Sequence, residues 1–349
     1  MTIKKLFTLM TWALALLFSN VHAAVWRINN NAGVNANFTN PSSAISSNLV
    51  QNGDTLYIEG SATNYGSITL NKRLVIIGTG YFLSGSNNNS GLQANPNNAV
   101  IGDISLDSLG TGSVIEGLQF NNIYNAYGAQ FADSMVITRC YLGSIGNYYP
   151  ASGTVANKWK VNKCYIGYNV DMGGVTSVNW DFRNNIVGGT INLSASLDTA
   201  NIIRNNVFRS SVNIYNAYVI NNTFIYFASI TLTNSVVKNN IASGQPSGFS
   251  TYQGTNGNSW NYTEAQIFKG LSGNSYDVQW QLATGSPAIA AGLTIGSVVT
   301  PDCGAFGGPD PYVLSGIPPI PTIYSLTVPA SIPSGTPSMN ITFSSQNNN

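Results

Sequence analysis

Histidine is almost missing from this chain: the one copy, His22, lies near the start. Lys4 and Lys5 precede an apolar run from Leu6 to Phe18, and a small-residue stretch then ends in Val21-His22-Ala23. This is the pattern of a cleavable secretory leader over residues 1–23, cut after Ala23 or Ala24. The run falls short of the roughly 20 apolar residues a spanning helix needs. The expected mature protein therefore has no transmembrane segment and is secreted or held at the cell surface. Loss of the leader also removes the histidine, which excludes Ser-His-Asp and Cys-His catalysis and any His-ligated metal.

Charge is scarce as well. Acidic and basic residues make up 8% of the chain, 13 Asp and Glu against 14 Lys and Arg. So weak and balanced a charge gives no electrostatic case for binding nucleic acid or an anionic membrane. Apolar residues stay at 43%, too many for a disordered chain. Helix formers such as Lys and Glu are few, while Asn, Gly and β-branched residues favour strands and turns.

What the chain has in abundance is repetition. The pair Asn-Asn returns at Asn205-Asn206, Asn221-Asn222 and Asn239-Asn240. Aligned segments share one apolar column of Ile137, Val161, Phe182, Ile203, Val219 and Val237. A second reads Leu142, Ile166, Val187, Phe208, Phe224 and Ala242. Between them runs Cys140, Cys164, Asn185, Asn206, Asn222 and Asn240. Short strands at an uneven period indicate a β-solenoid, in which no coil can bury its apolar face without its neighbours. Coils stack about 4.8 Å apart, so the Asn column becomes a ladder of amides along the axis. Asn also tolerates the left-handed conformation that a sharp corner requires. Cys140 and Cys164 fall on adjacent coils within disulfide reach but point the same way, which favours two buried free thiols. Cys303 is expected to be buried near the C-terminus.

On these residues the chain resembles the right-handed parallel β-helix proteins of the pectin-lyase-like superfamily. Asn40 to Gly60 resembles that family's short helical cap followed by a Gly-Asp-Thr turn into the first strand. Trp280 to Gly308, with its Gly-Ser-Pro-Ala-Ile and Asp-Cys-Gly-Ala-Phe-Gly motifs, resembles the closing segment of secreted bacterial members. The resemblance implies an all-β fold: a single-stranded right-handed parallel β-helix over residues 24–308, with an N-terminal helical cap. Residues 309–349 read as a Pro-rich linker and a short β hairpin or tail. The same scaffold carries lyases, hydrolases, adhesins and proteins without chemistry, so the fold alone names no activity.

In pectate-lyase-like enzymes, acidic residues hold calcium on one strand face and an Arg or Lys abstracts the proton. The outward positions beside the Asn column place Asp181, Arg183 and Arg204 on nearby coils, with Lys160 and Arg209 as further members. Only one carboxylate lies there, whereas calcium takes several oxygen ligands; calcium enters only if the protein is a lyase, and no other cofactor or metal is expected. Surface ion pairing accounts for the cluster more simply. Hydrolysis would need paired carboxylates, and Asp171, Asp181 and Asp198 do not form the pattern. Aromatic residues are the better binding signal. Trp159 and Trp180 share the inward parity of Val161 and Phe182; Tyr165, Tyr168, Tyr215 and Tyr226 recur nearby, and Tyr218 points outward. The expected function is a non-catalytic scaffold that contacts extracellular polysaccharide or acts in adhesion, with Tyr218, Arg183, Arg204 and Asp181 as binding residues. The alternative is a polysaccharide lyase or glycoside hydrolase using Asp181, Arg183 and Arg204.

Overall fold

The computed structural model describes residues 23–126, 130–146, 153–194, 201–244, 246 and 256–348. All of the expected leader except Ala23 lies outside them, as does Asp198. Each full coil supplies three short strands. One sheet stacks ten of them in parallel, from Val25–Ile28 and Thr55–Ile58 through Asp181–Arg183 and Asn201–Arg204 to Val236–Lys238. A second sheet of fourteen strands holds two rows. One row has two-residue strands such as Ile186–Val187 and Val207–Phe208, and the other has longer strands such as Ile191–Ser194, Val212–Tyr215 and Ile230–Thr233. Lys160, Asp181, Ile202, Tyr218 and Val236 stand in one register column, as the repeat alignment requires. The fold is a parallel β-helix.

Strand alternation sends every second side chain inward. Val161, Phe182, Ile203 and Val219 are fully buried and form a continuous stack through the first sheet. Trp159 and Trp180 also point in, stacked with ring centroids 5.1 Å apart and planes 4° from parallel. Their indole N–H groups donate to the Ala132 and Ala156 carbonyls, so neither ring buries an unpaired donor.

The doubled asparagine divides two tasks at one corner. The first of each pair takes the left-handed conformation, with φ of 54° at Asn184, 53° at Asn205, 57° at Asn221 and 52° at Asn239. The second points inward and builds the ladder. The Oδ1 atom of Asn206 accepts from the amides of Asn185, backbone at 3.0 Å and side chain at 3.1 Å. Asn222 and Asn240 repeat this one coil further on, and Asn258 ends the series. Each Nδ2 also donates to a strand carbonyl of the preceding coil, as Asn206 does to Phe182. Cys140 and Cys164 continue the column as free thiols that donate to the Thr138 and Asn162 carbonyls.

The N-terminal end is capped. A helix over Pro41–Ser46 starts at Asn40, whose side chain accepts from the Ser43 N–H, and it buries Ala44 and Ile45 over the first coil. A strand precedes it: Val25–Ile28 pairs with Thr55–Ile58, so the sheet begins before the Gly-Asp-Thr turn, not after it. Four residues sitting against the leader carry too little alternation to be read as a strand. Beyond the closing segment, Thr322–Thr327 and Thr342–Gln346 form an exposed antiparallel hairpin, which lies back beside the early coils where the Ala94 N–H donates to the Ile323 carbonyl. Among the described residues no helix is long and apolar enough to cross a membrane.

Replacing Asn206 with Ala takes the side-chain acceptor from the buried Asn185 backbone N–H and removes one donor each from Asn222 Oδ1 and the Phe182 and Arg204 carbonyls. The expected cost is about 3 kcal/mol or more, read as a fall in the urea midpoint. Replacing exposed Thr190 should cost little.

Candidate functional site

The outer face of the first sheet carries the charged residues singled out above. Asp181 and Arg183 lie two positions apart on one strand, at 3.4 Å, and Arg204 is the register partner of Arg183 on the next coil. Burial lowers the Arg204 pKa from its ordinary value, and the neighbouring Arg183 adds to the effect against the pull of Asp181 and Asp310. Lys160 is the register partner of Asp181. Arg209 belongs elsewhere: it lies on the second sheet, stacks over Trp280 at 4.4 Å and donates to the Tyr165 hydroxyl.

This cluster is bound by the protein's own C-terminal segment. Asp310 forms ion pairs with Lys163 and with Arg183. It belongs to a strap that runs back along the corner, against the direction of the coils. Asn239 donates to the Ala291 carbonyl, Asn221 to Leu293, Asn205 to Asp302, and Asn184 to both Ala305 and Gly307. Arg139 then reaches the Ile317 carbonyl. The first asparagine of each pair thus turns the corner and grips the strap. Gly307 is needed there because a Cβ would overlap the Asp302 carbonyl.

The strap also explains why the two-residue strands are apolar on both sides. Val187 and Phe208 face the main core, while Ile186, Val207 and Ile241 face outward into a second core with Phe268, Trp280, Ala288, Cys303 and Tyr312. Tyr165 lies in this second core. Tyr218 is half-buried on the first sheet between exposed Ile202 and Val236. Asp181, Arg183 and Arg204 therefore come together as expected, Tyr218 stands two coils from Asp181 in the same column, and Asp171 lies on the other sheet. Among the described residues no three His, Cys, Asp or Glu side chains gather.

The open face is on the longer strands of the second sheet. Its outward register column runs from Thr69 and Ser105 through Tyr124, Gly146 and Asp171 to Asn192, Asn213 and Thr231. Asn213 donates to Asn192 Oδ1 at 3.2 Å, and Asn192 donates to Asp171 Oδ1 at 3.1 Å. A cavity of about 300 Å³ lies at its N-terminal end beside the cap helix, with Thr69, Asn71, Asp103, Ser105 and Tyr124 in its wall. Tyr168 and Tyr226 stand on the turn beside this face, 69% and 63% exposed. The register Ile166–Val187–Phe208–Phe224 puts them at the same turn position three coils apart, roughly 14 Å at 4.8 Å per coil. Tyr226 holds φ at 52°, an uncommon conformation for a bulky residue. In the sequence this column is marked by the alternation in Ile191-Asn192-Leu193 and Val212-Asn213-Ile214, outside the register of the Asn corner.

The class defined by this geometry is a parallel β-helix with one face open, one row of strands covered and one corner strapped by its own chain. Compared with family models, curated proteins and solved structures, the chain matches none.

Two outcomes check the strap. Replacing Asp310 with Asn releases Lys163 and Arg183 together, at an expected cost of about 1 kcal/mol, with faster hydrogen exchange over 302–318 and an unchanged rate at the Asn206 amide. Burial pushes the Cys140 and Cys303 thiols above their ordinary range. Alkylation of the native protein near neutral pH should therefore spare both, and modification should follow unfolding.

Proposed function

We propose that the protein is an exported, non-catalytic scaffold whose open second-sheet face contacts extracellular carbohydrate. The observation that carries this reading is the in-register column of hydroxyl, amide and carboxylate groups flanked by two exposed tyrosines. Side-chain amides and hydroxyls both donate and accept, which matches the hydroxyls of a sugar ring. A flat phenol ring offers an apolar surface to the ring's CH face. Rows spaced evenly along a rigid axis suit a repeating polymer laid parallel to it.

Charge narrows the ligand. Asp171 is the one carboxylate in that column, and its outward positions Asn192, Asn213 and Thr231 present no cation to hold a uronate or sulfate. Arg209, the nearest arginine in sequence, is engaged with Trp280 and Tyr165. An uncharged glycan is therefore the fitting ligand. Non-catalysis is supported by the first-sheet cluster, whose two carboxylates, Asp181 and Asp310, are both paired with Arg183, Asp310 holding Lys163 as well. Export is supported by the leader pattern, and contact at Tyr218, Arg183, Arg204 and Asp181 becomes secondary.

The test is retention of the purified protein on insoluble cellulose, xylan and chitin, compared with alginate and pectate. Binding to at least one neutral polymer is expected, and Tyr168→Ala or Tyr226→Ala should each weaken it by about 0.5–1.5 kcal/mol. Tyr218→Ala should leave it nearly unchanged. Unsaturated products from an acidic polymer, lost in Arg183→Ala, would establish a lyase instead.

A further inference from the structure

Asp54 is a buried carboxylate, 3% exposed, at the entrance to the first coil. It receives three hydrogen bonds, all from neutral donors. The Ala24 N–H reaches Oδ1 at 2.8 Å, the Trp26 indole reaches Oδ2 at 2.8 Å, and the Gln51 N–H reaches Oδ2 at 2.9 Å. Among the described residues no basic side chain forms an ion pair with it: Lys72 lies nearby but donates to the Ser47 and Val50 carbonyls. Burying a carboxylate without a cation is costly. Yet burial, which raises its pKa, is outweighed by the bonds from Gln51, Trp26 and Ala24 and by Lys72, so the group is held below its ordinary value and stays ionised.

One of those three donors is a nitrogen that processing would convert into a cation. We propose that the leader is cut between Ala23 and Ala24, and that the new α-ammonium group of Ala24 is the missing counterion of Asp54. This inference rests on the export reading. Hydrolysis by a leader peptidase adds water across the Ala23–Ala24 amide: oxygen goes to the Ala23 carboxylate, and Ala24 leaves as the protonated amine. The nitrogen is already at 2.8 Å from Oδ1, so a neutral hydrogen bond becomes a charge-assisted one without movement of the chain.

The neighbouring bond fits less well. Cutting after Ala24 would discard a residue whose carbonyl also accepts from the Thr55 N–H at 2.8 Å, the first rung of the ten-stranded sheet. It would also put His22 three residues before the cut, where leader peptidases favour small side chains; cutting after Ala23 puts Val21 there. Ala23 itself is exposed. Processing would thus fasten the first strand, tying the start of the mature chain to the Gly-Asp-Thr turn.

The experiment expresses the full chain in a secreting bacterial host and reads the N-terminus of the exported protein by intact mass and sequencing. A chain beginning at Ala24 is expected. An exported chain beginning at Val25 or elsewhere overturns this inference and leaves export standing; a chain still beginning at Met1 overturns export itself. The ion pair is read separately, as the rate of Ala24 amine acylation near neutral pH. That rate should be at least about tenfold slower than in Asp54→Asn, the effect of raising the amine pKa by one unit. Should Asp54→Asn fail to fold, one Gly inserted between Ala23 and Ala24 moves the amine off the carboxylate and serves as the fast reference. Equal rates in the native and reference proteins overturn the ion pair.

Discussion

Everything in this molecule depends on keeping corner amides satisfied inside a dry stack. A coil must turn sharply and return in register, and each turn aims backbone N–H and C=O groups toward an apolar interior, where an unpaired group costs a large part of a folded protein's margin. Inward asparagines meet that constraint. Each one accepts from the amides of the preceding coil, donates to a strand carbonyl of that coil and donates to the side-chain oxygen of the next, so the coils are bonded along the axis as well as packed.

The outward asparagines extend the same logic to the surface. Because the corner residue is left-handed and carries an amide, it both turns the chain and holds the returning strap. The strap covers the outer side of the two-residue strands with a second core and brings Asp310 onto the charged cluster. Charges that resemble a reaction centre in one dimension thus serve as fastenings in three. The face left open is the one whose outward column is uncharged but for Asp171, and that is where we propose ligand contact.

Much of this was legible in the residues. The apolar columns headed by Ile137 and Leu142 gave the coil register, the column from Asn185 to Asn240 gave the ladder, and parity placed Trp159 and Trp180 in the core. What stayed hidden depends on contacts distant in sequence. Nothing near Asn184 announces that its amide will meet Ala305 and Gly307, more than a hundred residues on. Asp181 and Arg183 look like an exposed pair until Asp310 arrives from the strap. The second-sheet column was within reach of the alternation rule, but its strands follow turns of variable length, and alignment on the Asn corner loses register there. The early strand Val25–Ile28 was masked by the adjoining leader pattern.

The central claim is that carbohydrate meets the second-sheet face beside Tyr168 and Tyr226, not the first-sheet cluster near Tyr218. Hydroxyl-radical footprinting, read by mass spectrometry with and without a bound neutral polysaccharide, addresses all three rings in one sample. The account predicts that Tyr168 and Tyr226 become protected while Tyr218 oxidises at an unchanged rate. Protection of Tyr218 with no change at Tyr168 and Tyr226 would contradict it.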